Sequence, residues 1–265
     1  AYEVQTQGYL EPSGLTYWDG EFYTVSDKQD KIYRLQFDGD SVVLQPLISI
    51  NNNRQTKLDF EGITHDDEFF YLISEKYFQI LRVAKDGSQQ SWLPAIGSLQ
   101  AVGQEAGLFQ THNANFEGLC IIPHKNTEPH FLMAAERQPR GFIEADMQFK
   151  SIKAYQSQAS AHDYENGRSP DFTGLSCDNG LYVLVRNAHK VAQLVNDHGH
   201  FTEGAAFSYY DIINQPRFRY QDMQYGHAEG LVVKGDRVYI ILDNNRNPHE
   251  SNPSNSNSLF LILQK

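Results

Sequence analysis

Apolar positions along the chain come in short alternating runs cut by polar turns. Glu21 to Asp27 carries Phe22, Tyr23 and Val25, Lys31 to Phe37 alternates Ile32, Tyr33 and Leu35, and Val42 to Ile50 follows. Asp19-Gly20 and Asp38-Gly39 separate them as hairpin turns. With Leu15-Thr16-Tyr17 in front, this stretch predicts four short antiparallel strands.

The plan then recurs. Glu61 to His65, Phe69 to Glu75 and Phe78 to Ala84 form a second set, with turns at Asp66-Asp67 and Asp86-Gly87. A third set runs from Glu117 through Phe131–Glu136 to Gly141–Glu144, with an insert at Pro123–Pro129. Thr173 to Cys177, Leu181 to Arg186 and Val191 to Val195 make a fourth. Glu229 to Val233, Val238 to Asp243 and Leu259 to Leu263 make a fifth.

Each set opens on one motif: polar, mostly apolar, oxygen-bearing, glycine, aliphatic. The copies are Glu11-Pro12-Ser13-Gly14-Leu15, Asp59-Phe60-Glu61-Gly62-Ile63, Asn115-Phe116-Glu117-Gly118-Leu119, Asp171-Phe172-Thr173-Gly174-Leu175 and His227-Ala228-Glu229-Gly230-Leu231. Their glycines are spaced 48, 56, 56 and 56 residues apart, the signature of a repeat array. Four antiparallel strands per repeat make a propeller blade.

The fold expected is therefore all-β, a five-bladed β-propeller of four-stranded antiparallel blades in one domain over 1–265. The blades lie near 11–55, 59–110, 115–165, 171–222 and 227–265. The last is one strand short, while residues 1–10, with Tyr2, Val4 and Tyr9, are one strand too many. The N-terminal segment is expected to complete the last blade and close the ring, removing exposed edges. The alternative is six blades, the sixth hidden in the long connections at 95–113, 155–170 and 207–225. Asparagine-rich stretches at 51–53 and 244–257 read as loops.

Innermost strands line a propeller's axis, and residues two apart share a face. Ser13, Glu61, Glu117, Thr173 and Glu229 should then form one ring, with Glu11, Asp59, Asn115, Asp171 and His227 nearer the mouth. The second strand of each blade ends beside the start of the first. Asp27, Glu75, Glu136, Arg186 and Asp243 occupy that place, 13, 13, 18, 12 and 13 residues after their glycines.

Carboxylates crowded this way either take up protons or bind a cation. Oxygen donors without cysteine suit a hard ion, calcium before magnesium. The metal ligands expected are Glu61, Glu117, Glu229, Asp59, Asn115 and Asp243. The competing reading is that these acids cap strand ends and pair with Arg137, Arg140, Arg186 and Arg246, or line a hydrated channel. His227 reads as ligand, general base or wall residue, ahead of His65, His112 and His189. No Gly-x-Ser-x-Gly elbow, His-Glu-x-x-His pair or phosphate-cradling loop is present.

The 265 residues hold 22 Lys and Arg against 33 Asp and Glu, a formal net charge of −11. That argues against nucleic acid or an anionic membrane as partner and agrees with a cation binder or a well-solvated surface. No apolar run is long enough to cross a bilayer as a helix. The two cysteines, Cys120 and Cys177, fall at different offsets from their glycines, so period-two alternation points them to opposite faces. Two buried thiols are the expectation, with a disulfide the alternative. Ala1 opens the chain without a methionine or a visible export signal, as in a trimmed form.

At Ser13-Gly14-Leu15-Thr16, Asn115-Phe116-Glu117-Gly118-Leu119 and Ala228-Glu229-Gly230 with Val238-Tyr239-Ile240, the chain resembles the SdiA-regulated propeller family. More distantly it is similar to the phytase-like esterase propellers, whose blades also open with Glu-Gly. The resemblance covers nearly the whole chain and implies an extracytoplasmic (periplasmic or secreted) bacterial propeller with a calcium site. The fourth repeat departs from the acidic pattern at Thr173 and Arg186.

Two functions follow as expectations. One is a metal-dependent hydrolase of a small ester, phosphoester or lactone, with Glu136 or His227 as general base. Arg137, Arg186, Asp27 and Glu75 would contact substrate. The other is a non-catalytic propeller with a structural metal that binds a small anionic molecule or a peptide at the channel mouth. Either is expected to be a monomer.

Overall fold

The computed structural model describes residues 1–6, 10–54, 56–94, 97–124, 128–137, 139–157, 169–223 and 227–265. Tyr9, part of the 123–129 insert and parts of the three long connections fall outside these residues.

A strand, β1 (Tyr2–Gln5), comes first, and four strand quartets follow. The first is β2 (Pro12–Trp18), β3 (Glu21–Ser26), β4 (Lys31–Asp38) and β5 (Ser41–Ser49). The second is β6 (Phe60–His65), β7 (Phe69–Ser74), β8 (Gln79–Ala84) and β9 (Gln90–Trp92). Helix α1 (Ser98–Glu105) then leads to β10 (Phe116–Ile122), β11 (His130–Ala135), β12 (Gly141–Asp146) and β13 (Ile152–Gln156). The fourth is β14 (Phe172–Ser176), β15 (Tyr182–Val185), β16 (Lys190–Asp197) and β17 (His200–Ser208), trailed by α2 (Tyr210–Ile213). The chain ends with β18 (Ala228–Lys234), β19 (Arg237–Leu242) and β20 (Ser258–Gln264).

The second, third and fourth quartets are separate four-stranded antiparallel sheets in chain order. The N-terminal strand pairs antiparallel with β20, Tyr2 opposite Phe260, and so becomes the fourth strand beside β18–β20. It also runs parallel to β5, Val4 opposite Val42, which joins that group and the first quartet into one eight-stranded sheet. The parallel seam has no counterpart in the repeat pattern.

Among the described residues five hydrophobic clusters hold the molecule together, each between two neighbouring strand groups. Sheets covered on both faces need apolar residues at successive positions, which is why β7 and β11 are buried from their second residue onward. The innermost strands β2, β6, β10, β14 and β18 touch in sequence and return to β2. Their approach is close enough that only glycine fits. A Cβ on Gly14 would lie 2.9 Å from the Gly62 Cα, and one on Gly230 would lie 2.7 Å from the Leu15 backbone nitrogen.

Cys120 and Cys177 form a disulfide, correcting the expectation of two thiols; their Cα atoms are 5.9 Å apart. Pleat alternation misled because Cys177 lies one residue beyond the end of β14, where the pleat no longer fixes its direction. The bridge ties the far ends of two adjacent inner strands.

Candidate functional site

Every inner strand carries a register shift at its motif: between Pro12 and Gly14, Phe60 and Gly62, Phe116 and Gly118, Phe172 and Gly174, and Ala228 and Gly230. The residue skipped in each pairing is Ser13, Glu61, Glu117, Thr173 or Glu229. A bulged residue is released from the ladder and re-aimed. The glycine motif thus makes an irregular strand, and that irregularity presents the ring residues at the axis.

Ser13, Glu61, Glu117 and Glu229 line an open cavity of about 580 Å³, together with Glu11, Asp27, Lys28, Glu136, Arg137, Arg186, Asp222, His227 and Asp243. Asn113, Asn245 and Asn247 add polar side chains at its edge. Below the ring the axis narrows to a void of about 10 Å³ bounded by the motif glycines and Leu15, Ile63, Leu119, Leu175 and Leu231. That is room for one water at most. The cavity is an open cup that narrows at the glycine ring.

Thr173 is not part of the lining. It is fully buried and donates its Oγ1 hydrogen to the Ala228 carbonyl at 2.7 Å, fastening β14 to β18. Ser13 makes the matching bond to the Phe60 carbonyl. Where the motif carries a hydroxyl, the side chain joins neighbouring inner strands. Where it carries a carboxylate, no such bond forms among the described residues and the side chain lines the cup.

The acids divide into two groups. On one side Arg186 sits buried among three carboxylates. It donates from Nε and Nη2 to Asp171 Oδ2 at 3.1 and 2.6 Å, from Nη1 to Glu229 Oε1 at 2.6 Å, and from Nη2 to Glu136 Oε1 at 2.5 Å. Arg137 adds a second guanidinium on Glu136 and lies 3.6 Å from Asp171. Here the protein supplies its own cations.

On the other side Asp27, Asp59 and Glu61 bring one carboxylate oxygen each to within 4.8 Å of one another. Lys57 Nζ pairs with Asp59 at 2.7 Å and reaches Asp27 at 3.5 Å, while Lys28 pairs with Asp27 and Glu11. These lysines are exposed by about a third or more, so solvent screens them in a way it does not screen Arg186. Asp27 Oδ1 is nevertheless buried without a hydrogen-bond partner among the described residues, as are Glu136 Oε2 and Glu229 Oε2.

Burial and crowding raise the proton affinity of these acids. Glu61 is pushed well up, first by loss of water and then by Asp27 and Glu75, and Glu117 by loss of water and by Glu136 and Glu61. Asp243 is raised to about 7, mainly by burial. Glu136 is also raised to about 7, burial outweighing the pull of Arg186 and Arg137. His227 moves the other way, burial lowering it. Its Nε2 lies 2.8 Å from the Asp222 carbonyl and donates to it, leaving Nδ1 as a buried lone pair with no partner among the described residues.

Of the residues expected from sequence, Asp27, Glu61, Glu117, Glu136, Arg137, Arg186, His227, Glu229 and Asp243 gather at the cup. Asn115 does not line it, contrary to its expected place among the ligands: its backbone N–H donates to Glu75 Oε1 at 3.0 Å. Glu75, which accepts that N–H, is likewise not among the residues that line the cup, though it lies near enough to raise Glu61. Asp59 reaches the site from beside the lining, through its left-handed backbone at φ 60°. Among the acid-cap partners considered, Arg140 is elsewhere, stacked on Phe172 and paired with Glu203. His65 is spent on the Tyr17 carbonyl and the Trp18 ring.

Lys28 and Asp222 were missed. Lys28 had a signal in the repeat alignment, since the residue after each second-ring acid is Lys28, Lys76 or Arg137 in the first three repeats. Asp222 had none, because it comes from a connection outside the repeat.

The donor set fits a hard cation. It is mainly oxygen: among the described residues eight carboxylates line the cup against three fixed cations, alongside His227 Nδ1, and Asp27 offers an unpartnered buried oxygen beside Asp59 and Glu61.

Residues 7–246 match the phytase-like family, described as having the esterase-like activity of phytase, and the chain belongs to that family. No curated protein matches it. Among solved structures it is similar to the PQQ-bound aldose sugar dehydrogenase of Streptomyces coelicolor, at 12% identity and a TM-score of 0.51, covering 98% of this chain and 95% of that one. It is also similar to a putative gluconolactonase, at 12% identity and a TM-score of 0.52, covering 97% and 79%. At such identity these likenesses speak to the propeller fold alone.

Proposed function

We propose that the chain, a member of the phytase-like family, is a calcium-binding propeller hydrolysing a small anionic ester, phosphoester or lactone at the acid cup. The observation that carries the reading is the buried, unpartnered Asp27 Oδ1 beside Asp59 and Glu61. A carboxylate oxygen buried without a donor is costly unless a cation or water completes it.

Asp27, Asp59 and Glu61 would hold the ion, with Glu117 next to them on the ring. Bound there, calcium would polarise a substrate oxygen and lower the proton affinity of water. His227, neutral and with Nδ1 free of partners among the described residues, is placed to take a proton inside the cup. Glu136 serves as the second candidate base through Oε2. Arg137 and Lys28, both on the wall, would hold the anionic group of the substrate. Arg186 cannot, because its donors are committed to three carboxylates.

We read the strand groups as five blades, β1 completing the last and the β1–β5 pairing being a seam between two of them. Five inner strands in a closed circuit and five inter-sheet clusters support this count. The finer kinship with the SdiA-regulated propellers rests on the motif residues quoted above. A periplasmic or secreted home is supported by the Cys120–Cys177 disulfide, since such bridges persist in oxidising compartments.

Calorimetric titration of chelator-treated protein tests the ion. Calcium should bind the wild type and bind Asp27→Asn and Glu61→Gln at least about tenfold more weakly. A phosphomonoester and lactone panel, with and without calcium, then tests the chemistry. Absence of calcium binding defeats the metal site and the hydrolase built on it. Calcium binding with an inert panel selects the non-catalytic reading, which the committed Arg186 favours: that side of the ring is locked as structure.

A further inference from the structure

We propose that His124, His130 and Glu144 form a second cation site, for a borderline first-row divalent ion such as zinc, at the end of the molecule opposite the acid cup. Glu117 on β10 faces the cup, and Ile122 ends that strand about 17 Å further on at the usual rise per residue. His124 follows two residues later.

The strands bring the three side chains together. Glu144 on β12 lies directly opposite Leu132 on β11, and His130 is two residues before Leu132, so His130 and Glu144 share a face. His130 in turn is opposite Ile122, the last residue of β10, and His124 stands two residues past it. The result is a convergence on one oxygen. His130 Nδ1 is 2.6 Å and His124 Nε2 3.3 Å from Glu144 Oε1, and the two imidazole rings lie 3.9 Å apart.

That spacing is close to a coordination shell. Tetrahedral zinc with bonds of about 2.0–2.1 Å places its donors roughly 3.3–3.4 Å apart. The His124 contact already meets this, and the His130 contact needs to open by less than about 1 Å. Two imidazoles and one carboxylate also leave a position free for water, as in zinc sites of open coordination. Glu144 borders a groove of about 490 Å³, shared with Lys153, Tyr155, Asn196 and His198, which gives an ion a way in. The chemistry differs in kind from the cup: two nitrogen donors favour zinc, copper or nickel, whereas the cup's oxygens favour calcium. An ion bound there takes the place of the hydrogen between His130 Nδ1 and Glu144 Oε1, and the neutral imidazole carries its hydrogen on Nε2 instead.

The test uses cobalt as a spectroscopic stand-in, added to the chelator-treated full chain, with zinc and calcium as competitors. One cobalt per chain with a tetrahedral absorption band is expected, displaced by zinc and not by calcium. His130→Ala should weaken it by more than about 100-fold, beyond what loss of an outer partner alone costs. His124→Ala, whose side chain is 34% exposed and outside the strands, should do the same without disturbing the fold. Glu61→Gln should leave it unchanged, which separates this site from the cup. Absence of a tetrahedral band in the wild type, or cobalt bound equally well by both histidine variants, overturns the proposal.

Discussion

Arg186 Nη1 donates to Glu229 Oε1 at 2.6 Å inside the ring of acids, so one side of the ring is neutralised by the protein itself. The fourth repeat breaks the acidic pattern in order to supply that cation. Asp171, Glu136 and Glu229 come from three different strand groups, and one guanidinium ties them together.

Removing the guanidinium should be severe. Arg186→Met leaves the buried Glu229 without its cation, and Asp171 and Glu136 with Arg137 alone, and should cost about 3–5 kcal/mol in urea unfolding, the range for breaking a buried ion pair. Arg186→Lys keeps the charge but not the planar fork, and should fall between variant and wild type. A loss below about 1 kcal/mol for Arg186→Met would show that the network is not the clamp described.

Stability should fall with rising pH when calcium is absent. Asp243 and Glu136, both raised to about 7, keep protons in the folded chain that the unfolded chain releases near pH 4. The folded state then binds more protons between about pH 4 and 7, and its stability declines through that window. Calcium, which favours ionised acids, should shrink the decline. Melting temperatures from about pH 5 to 8, with chelator and with calcium, measure both effects. A chelated protein whose melting temperature rises across that range would contradict the crowding argument.

The disulfide should matter more than its position at the far end suggests. It spans a sequence separation of 57, for which chain entropy gives about 4 kcal/mol, with about 2–4 usual in practice. The Cys120→Ser, Cys177→Ser double variant should lose stability in that range while keeping calcium affinity within about twofold, since the bridge lies away from the cup. Thermal unfolding with and without reductant checks the first half, and calorimetry the second.

Closure of the inner ring should fail at Gly230. An alanine Cβ there meets the Leu15 nitrogen and Cβ at 2.7 Å, backbone that cannot give way easily. Gly230→Ala should cost about 1–3 kcal/mol, as overpacking does, and disturb the Arg186–Glu229 pair next to it. Neutral behaviour in chemical denaturation would mean that the ring is more pliant than its contacts indicate.

The strand sets, the spacing of their motifs and most of the ring were legible in the amino-acid order, because these depend on local alternation, turn residues and repetition. Glu61, Glu117, Glu229, Glu136, Arg186 and Asp243 could be placed at one mouth by alignment of repeats alone. Direction and partnership depend instead on how the strand groups meet. Period-two counting could not show that each ring residue is a bulge, that Thr173 turns away to the Ala228 carbonyl, or that Asn115 offers its backbone to Glu75. Nor could it pair Cys120 with Cys177 or bring His124, His130 and Glu144 onto one oxygen. A repeat fixes what its own residues do in isolation. Which carboxylates find a cation and which keep an open valence depends on neighbours supplied by other strands across the axis, and only the closed ring brings those together.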